Sequence, residues 1–430
     1  MCAKWLKGYD HEHLAVRLDE SKSLGQDGRL SFNGFGFMEY IVVLNSMVSL
    51  NDTITQFEKN IILRRAAFSL AKREKISSAG LLKEISKFES EYLKQKLQKF
   101  ILVSTLSINR DFKLKRVHIN GSTITFHAHL AKQFTEEIEK KIKSPASHTI
   151  TGEYPKDYIF IKTSVEAKSY SQASSIAIDS IDIIRGIWNL FYNRGQFRIS
   201  FGGRRDPVNN IAFGPLHTIH FPNGKLASES WLYETGYLGP LKTFDMKNKL
   251  DDLYKFQCNV RKVLKKSKFK NHIETALRKY AQALDIRDLE SSYLRLWGLL
   301  EYLTNTNENE SHKDTVKRTS FFFQEREYAQ QVLNHLRDHR NRSVHTGGSN
   351  QNIETLLYQL KNFVEVVLEF QIANRFNFSS REEFTQFMNL PEDVSELKRR
   401  KEMIGHALKF MAQRIRIDCV RNEPQSYPIG

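Results

Sequence analysis

The sequence predicts an α+β protein, with a mixed N-terminal domain and an all-helical C-terminal domain. Two observations lead to this fold class. Asn120-Gly121 separates two segments of alternating hydrophobicity, which is typical of a β-hairpin, and segments with a helical period flank this hairpin. Beyond Pro240 one helical pattern follows another, and Pro391 is the one proline before the C-terminal tail. A chain of 430 residues is long enough for two or three domains with buried cores.

Two long helices are predicted early in the chain, after an irregular beginning. Residues 1–36 are polar and contain several glycines, which indicates an irregular segment or a few short strands. Asn51 or Asp52 can cap a helix that runs to about Lys75. A second helix is predicted from Ala79 to about Val103, because apolar residues recur there at helical spacing.

A hairpin, a strand and a further helix complete the predicted N-terminal domain. The hairpin covers Phe112–Leu130, and Asn120-Gly121 supplies its type I′ turn. A strand is predicted at Tyr158–Val165 and a helix from Ser171 to about Tyr192. Glycine, proline and asparagine are frequent from Gly195 to Pro240, which predicts short strands and turns.

We place the domain boundary near Pro240, which gives a mixed domain at 1–240 and a helical domain at 241–430. Apolar residues follow a clear 3.6-residue period in the last long helix of this second domain. The short loops between helices predict antiparallel neighbours in a bundle. The predicted helices are Asn248–Lys266, Asn271–Leu284, Leu289–Thr304, Asp314–Phe323, Arg326–His345 and Asn352–Asn374.

The charge balance is strongly basic. The chain carries 65 Lys and Arg against 49 Asp and Glu, a formal net charge of +16. Nucleic acid is the commonest partner for such a surplus, and an anionic membrane surface is the alternative.

The three cysteines lie far apart and form no CxxC pair, which fits a reducing cytosol. No apolar run reaches the ~20 residues of a membrane span, and the first residues lack the apolar stretch of a signal peptide, so we expect a cytoplasmic protein without membrane association.

Arg340-Asn341-Arg342-Ser343-Val344-His345 is the segment with the strongest indication of chemistry. It joins a fixed cation, a short amide and a titratable imidazole at the end of a predicted helix, with glycines just beyond. A guanidinium can bind phosphate through two parallel hydrogen bonds, and an imidazole can transfer a proton near neutral pH. These groups together suit cleavage of a phosphodiester without a metal. The alternative is that Arg340 and His345 have no catalytic role and only stabilise the end of the helix.

Helical spacing assigns roles within this motif. Asn341 and His345 are four residues apart and share one face, so the amide can orient the imidazole. Arg340 lies about 140° around the helix axis from His345 and must reach round with its long side chain. We expect three apolar residues to anchor the helix in the bundle: Leu333, Leu336 and Val344.

The motif and an earlier helix resemble the HEPN superfamily, in particular the Apea-like group of prokaryotic antiphage proteins. Arg340, Asn341 and His345 match the Arg-Asn…His signature of the family's nucleases. Residues 294–303 match the helix that precedes this signature, through a tryptophan at 297 and a glutamate at 301. The resemblance covers about residues 250–375.

This resemblance implies a helical bundle that cuts RNA as a homodimer, with no metal and no other cofactor. His345 would manage the proton of an attacking ribose 2′-OH, and Arg340 would stabilise charge on the phosphate oxygens. The products would carry a 2′,3′-cyclic phosphate. Glu301 is a supporting residue and a candidate partner of Arg340, with a simply solvated carboxylate as the alternative.

Further basic residues are candidates for binding RNA, and a solvated surface is the rival interpretation. This set contains Arg342, His339, Lys265, Lys266 and Lys268. His335 and His339 have the i,i+4 spacing of a zinc-binding pair but lack further ligands, so solvated histidines are favoured and no metal site is predicted. No Ser/His/Asp or Cys/His nucleophile signature is recognisable in the sequence.

Together these observations predict an endoribonuclease that acts in prokaryotic antiphage defence, abortive infection or stress by cutting cellular RNA, with tRNA as a candidate target. The N-terminal domain would sense a phage-derived trigger. Two other hypotheses stay open. A non-catalytic HEPN module would bind RNA or a partner protein without cutting. A DNA-binding regulator would bind duplex in a salt-sensitive way, without need of Arg340 or His345.

Overall fold

The computed structural model describes residues 3–24, 29–32, 34–114, 116–143, 154–198, 206–228, 232–234, 236–237, 239–246, 249–307, 310–346 and 352–421. The fold is mixed α+β, with a six-stranded sheet in the N-terminal part and a helical C-terminal region. The chain packs as two compact units. The first contains Met1–Asn259 and Leu277–Arg287, and the second contains Val260–Ala276 and Asp288–Gly430. The first unit therefore continues past the boundary predicted near Pro240.

The first unit begins with a helical layer that is edged by short strands. Strands β1 and β4 pair with each other, as do β2 and β3. The helices share one apolar core, in which Leu18, Leu44 and Leu63 are fully buried. The bounds are β1 (Lys4–Trp5), α1 (His11–Glu20), β2 (Lys22–Leu24), β3 (Leu30–Phe32), α2 (Gly34–Met47), β4 (Val48–Ser49), α3 (Gln56–Ala71) and α4 (Ser78–Leu93).

The prediction for residues 1–36 was incomplete, because this segment contains helix α1 as well as the expected short strands. Asp10 caps α1, and its side chain accepts a hydrogen bond from the backbone N–H of His13 at 2.9 Å. The buried side of α1 consists of Leu14, Ala15 and Leu18. A ten-residue helix with three buried residues gives a weak periodic signal, so its capping residue was the better indicator.

An antiparallel sheet with the order β10-β9-β5-β8-β7-β6 forms the other half of the first unit. The long helix α6 packs on it. The predicted hairpin is confirmed, and its turn residues Asn120 and Gly121 have φ of 48° and 73°. The elements are β5 (Gln98–Asn109), β6 (Arg116–Ile119), β7 (Ser122–His127), α5 (Lys132–Ile142), β8 (Tyr158–Ala167), α6 (Tyr170–Asn193), β9 (Leu216–His220) and β10 (Leu232–Tyr233).

The second predicted helix was too long. Helix α4 ends at Leu93, and strand β5 begins at Gln98, so Gln98 to Val103 are already strand. Strand β5 lies between β8 and β9, and seven successive residues of it, from Leu102 to Ile108, are buried. A strand that is covered on both faces has a continuous apolar run, which periodicity does not distinguish from a buried helix.

Helices make up the rest of the chain. The predicted helices of this region are present with ends shifted by a few residues, and two later helices were not predicted. The elements are α7 (Leu250–Lys266), α8 (Lys270–Leu284), α9 (Leu289–Thr304), α10 (His312–Ser320), α11 (Arg326–Thr346), α12 (Ile353–Ala373), α13 (Arg381–Met388) and α14 (Val394–Arg421). Each of α7 and α8 contributes residues to both units.

The second unit is a bundle centred on α9. Helix α9 packs against α12, α10 and α11, and α10 also contacts α13. The apolar stripe predicted on α12 faces the core, and Leu357, Leu360 and Val364 are fully buried. Within the described part of the chain, no helix is both long and apolar enough to cross a membrane.

Candidate functional site

Helix α11 carries the Arg-Asn…His motif in its last two turns. Leu333 and Leu336 are fully buried and anchor the helix, as predicted from the sequence. The hydroxyl of Tyr293 on α9 donates a hydrogen bond to the backbone oxygen of Leu336 at 2.6 Å. Val344 was also expected to anchor the helix, but half of it (50%) is exposed. Its side chain therefore does not pack into the apolar core, and this prediction was wrong.

A polar cluster fixes α11 to α9 beside the motif. Glu290 lies in the first turn of α9, and its Oε2 is 3.1 Å from Nε2 of His339. The hydroxyl of Ser343 donates to the same carboxylate oxygen at 3.0 Å. The ring of Tyr293 packs edge-on against His339, with centroids 4.9 Å apart. Burial, and then the charge of Glu290, raise the pKa of Tyr293, so its phenol stays neutral and acts as a donor.

His339 therefore does not have the role predicted for it. It was assigned to the solvent or to an RNA groove, yet only 2% of it is exposed, and it is held between Glu290 and Tyr293. The reason is its position on the helix. His339 and Ser343 follow the buried Leu336 by three and seven residues, so they share its inward side. This spacing could have identified both residues as buried, whereas no pattern in the sequence indicates Glu290 as their partner.

The motif residues themselves lie at the edge of the bundle. Arg340 and Asn341 are half-buried and Arg342 is exposed. The guanidinium of Arg340 donates through Nη1 to Oδ1 of Asn341 at 3.2 Å. The amide thus binds the arginine of the motif. His345 lies in the last turn of α11, but its side chain is outside the described part of the structure, so the predicted contact between Asn341 and His345 stays a prediction.

Glu301 binds other partners than the predicted one. It accepts a hydrogen bond from Nε1 of Trp297 at 2.7 Å, and it forms a short contact with Nδ1 of His312 on α10. The rings of Trp297 and His312 lie edge to face, 6.2 Å apart. Glu301 thereby links α9 to α10, and Arg340 is not a partner of it within the described residues. Trp297 lies four residues before Glu301 on the same helix face, so its indole N–H is close enough to donate to the carboxylate.

The other RNA-binding candidates lie at the end of α7. Lys265 and Lys266 are in its last turn and Lys268 follows it, and all three are exposed. The charge of Lys268 contributes to lowering the pKa of Glu383 at the start of α13, after the hydrogen bonds from Ser379. These lysines are therefore available to a ligand, and the described contacts do not join them to α11.

A metal site is not evident in the described residues, which contain no group of three or more histidine, cysteine, aspartate or glutamate side chains around a common point. His335 and His339 differ in their surroundings despite their i,i+4 spacing. His335 is exposed, whereas His339 is buried against Glu290. The two imidazoles do not form a pair that a metal ion could bind.

The first unit contains a serine, a histidine and a glutamate in the order of a hydrolase triad, which the sequence did not reveal. Oγ of Ser104 is 2.7 Å from Nδ1 of His217, and Nε2 of His217 is 2.9 Å from Oε1 of Glu234. Ser104 lies in the middle of β5 and is completely buried (0% exposed). A substrate cannot reach this hydroxyl, so the arrangement satisfies buried polar groups of the sheet and is no nucleophile.

Comparison with protein-family models, with curated proteins and with solved structures gave no significant match to this chain. The case for a function therefore depends on the residues of the chain itself, of which Arg340, Asn341 and their supporting cluster are the most informative.

Proposed function

We propose that this protein is a metal-independent endoribonuclease of HEPN type, with Arg340 and His345 as its reacting groups. The observation that supports this proposal is the placement of the motif. Arg340 and Asn341 are half-buried and Arg342 is exposed, while Glu290 holds the inward side of the same turns through His339 and Ser343. A rigid support beneath partly exposed polar residues is what a preorganised catalytic group requires.

The chemistry follows from the residue types. His345 accepts the proton of a ribose 2′-OH, and the resulting oxygen attacks the adjacent phosphorus. Arg340 stabilises the negative charge that builds up on the phosphate oxygens, and Asn341 holds its guanidinium. The bond to the 5′ oxygen breaks and leaves a 2′,3′-cyclic phosphate. The leaving oxygen needs a proton, which a second copy of the motif in a homodimer supplies.

The bulk properties of the chain support RNA as the substrate. A net charge of +16 favours a polyanion, and exposed lysines at the end of α7 offer contacts to its backbone. We propose a cytoplasmic enzyme of antiphage defence that cuts cellular RNA, with tRNA as the first candidate. The mixed N-terminal part would hold the nuclease inactive until it senses a phage-derived trigger.

The test is cleavage of total tRNA by the purified full-length protein in EDTA. We expect cleavage by the wild type and a loss of at least about 100-fold in rate for His345→Ala, because a positioned acid/base contributes that much. Arg340→Lys should lose most activity as well, since an ammonium does not bind phosphate through a fork. His335→Ala is the matched control, because this exposed histidine lies on the same helix and should leave the rate unchanged.

The alternatives give different results in the same assay. A wild type that binds tRNA but cuts it under no condition would indicate a non-catalytic HEPN module. Equal cleavage by wild type and His345→Ala would remove the motif from the reaction. Salt-sensitive binding to duplex DNA that does not depend on Arg340 or His345 would indicate a DNA-binding regulator.

A further inference from the structure

One face of the sheet in the first unit is polar over the strands β6, β7 and β8. Helix α6 packs on the other face, and on this face α5 covers part of β5, where Val103 is buried with Phe134. No described helix other than α6 packs extensively on β6, β7 or β8. The side chains that point away from α6 are every second residue of these strands, starting at Arg116, Thr123 and Phe160. We call this set the open face, and all of its members except Phe160 are polar.

The open face carries two cations without an acidic partner. The strand register places Arg116, Thr125 and Lys162 in one row across β6, β7 and β8, so the two cations are about 10 Å apart, or two strand spacings. Arg116 is exposed, Lys162 is half-buried, and neither forms an ion pair with a described residue. The one carboxylate of the open face, Glu166, lies opposite Lys99 on β5, which balances its charge. The row therefore favours an anionic ligand.

A third cation stands beside the next row, which His127 and Phe160 form. The guanidinium of Arg110 lies over the ring of Phe160, 5.4 Å from its centroid, and Nε donates to the backbone oxygen of Tyr158 at 3.2 Å. The ring of Tyr154 meets Phe160 edge to face at 5.7 Å. Phe160 thus supports the guanidinium, and a flat guanidinium is a surface on which a nucleobase can stack.

His127 offers a hydrogen-bond acceptor on the same face. Oγ1 of Thr125 donates its one proton to the backbone oxygen of Lys162 at 3.2 Å, so it must accept from Nε2 of His127, 2.8 Å away. Burial, and then the charge of Lys162, lower the pKa of His127, so the imidazole is neutral and its Nδ1 is an acceptor. Nδ1 has no partner among the described residues. The 2′-hydroxyl of ribose, which DNA lacks, is a donor that fits it.

We propose that the open face binds single-stranded RNA, with phosphates on Arg116 and Lys162 and a base on Arg110. A single strand fits because its unstacked bases can lie on a sheet, whereas a duplex presents mainly its phosphates to a flat surface. An acidic peptide would use the cations but not the stacking surface. The choice of RNA rests on the proposed function, but the binding surface consists of other residues than 340–345.

The test is fluorescence anisotropy with a labelled single-stranded RNA of about 12 nucleotides and full-length His345→Ala, in which cleavage does not enter the measurement. Arg116→Gln with Lys162→Gln should weaken binding at least about tenfold and make the slope of log affinity against log salt shallower by about 1.4, because two phosphate contacts are lost. Lys72→Gln with Lys83→Gln is the matched control, because both lysines are exposed in the helical layer of the same unit and should leave the affinity unchanged. Far-ultraviolet circular dichroism verifies that each variant is folded.

The choice between RNA and DNA has a readout of its own. His127→Ala should weaken RNA binding by about threefold or more, through one lost hydrogen bond, and leave binding of DNA of the same sequence unchanged. Equal losses in the open-face and control variants would overturn the proposal, as would tighter binding of duplex RNA than of the single strand. Polyglutamate that binds as tightly as RNA would assign the face to an acidic protein instead. A wild type that cuts no RNA but shows the expected losses would refute the nuclease and support the open face as an RNA site.

Discussion

Glu290 and His339 show how single residues determine which side of α11 is buried against α9 and which side is accessible to a ligand. A partly buried carboxylate is stable only when it has hydrogen-bond donors nearby, and here His339 and Ser343 supply them. Their bonds hold this side of α11 against α9, and they leave Arg340 half-buried and Arg342 exposed. The chemistry proposed for the motif therefore depends on a residue about fifty positions earlier in the sequence.

His272 is a second histidine whose surroundings determine its behaviour. It is 8% exposed, its ring stacks on Tyr302 at a centroid distance of 4.4 Å, and Nε2 lies 3.2 Å from Oε1 of Gln371. Burial, and then the positive charge of Arg381, lower the pKa of His272 from 6.5 to about 4. The folded protein therefore keeps this imidazole neutral where the unfolded chain would protonate it.

The lowered pKa of His272 predicts a loss of stability in mild acid. Above pH 6.5 neither state binds the proton, so His272 adds no pH dependence; as the pH falls towards 4, the unfolded state alone gains it. The free energy of unfolding should therefore fall by about 2 kcal/mol between pH 7.5 and 5 on account of this residue. Urea denaturation of wild type and His272→Gln at both pH values measures it. The variant should lack this part of the decrease, and an identical pH dependence would contradict the assignment.

Some positions of the candidate site residues followed from the sequence, but those of His339 and Val344 did not, and neither did the partners. Helical spacing correctly placed Leu333 and Leu336 in the core and the motif at the end of α11. Spacing along one helix carries no information about which side chain of another helix lies opposite. For this reason Glu301 was matched with Arg340, whereas Trp297 and His312 are its partners.

At the scale of elements, a short sequence pattern predicted the structure correctly where the residues of that segment alone determine its backbone conformation. The Asn120-Gly121 turn is specified by two residues that tolerate positive φ, and it was predicted correctly. The boundary between α4 and β5 was not, because the conformation of Phe100 to Val103 is decided by pairing with β8 and β9, distant in sequence. Tertiary pairing of this kind overrides a local apolar pattern.

The packing of α6 against α8 gives a prediction about a close contact between helices. A Cβ added at Gly186 would lie 2.4 Å from the backbone oxygen of Leu277, and a backbone atom cannot move aside as a flexible side chain can. Gly186→Ala should therefore destabilise the protein by about 2 kcal/mol or more, although alanine is the better helix former. The measurement is the midpoint and slope of urea unfolding.

Gly298 on α9 is the matched control for Gly186. It is also a glycine inside a helix, but an added Cβ would meet nothing within 4 Å. Gly298→Ala should therefore stabilise the protein by up to about 1 kcal/mol through helix propensity alone. If Gly186→Ala and Gly298→Ala changed the free energy of unfolding by the same amount, the close approach at Gly186 would be relieved without cost.

At the scale of the whole molecule, the basic surplus and the motif predict two separable properties. Binding of a polyanion depends on the summed charge of many exposed residues, whereas the proposed cleavage would depend on two groups at the end of one helix. Composition alone predicts the first property, and this stays a prediction. The second requires side-chain geometry and a second copy of the motif, neither of which can be deduced from the order of residues in one chain.

The salt dependence of RNA binding tests the part played by the overall charge. The variant His345→Ala keeps the RNA intact and is used for the measurement. Its affinity for a single-stranded RNA, measured by fluorescence anisotropy, should fall by about 300-fold between 50 and 200 mM KCl if about six phosphates are contacted.

Lys265→Glu with Lys266→Glu should make the slope of log affinity against log salt shallower by about 1.4, because two contacts are lost. Lys398→Glu with Arg399→Glu, two exposed residues of α14, serves as a comparison of equal charge change. If both double variants reduced the slope equally, the end of α7 would be no RNA site and only the net charge would matter. If neither double variant reduced the slope, these four residues would not contribute to RNA binding, despite the net charge of +16.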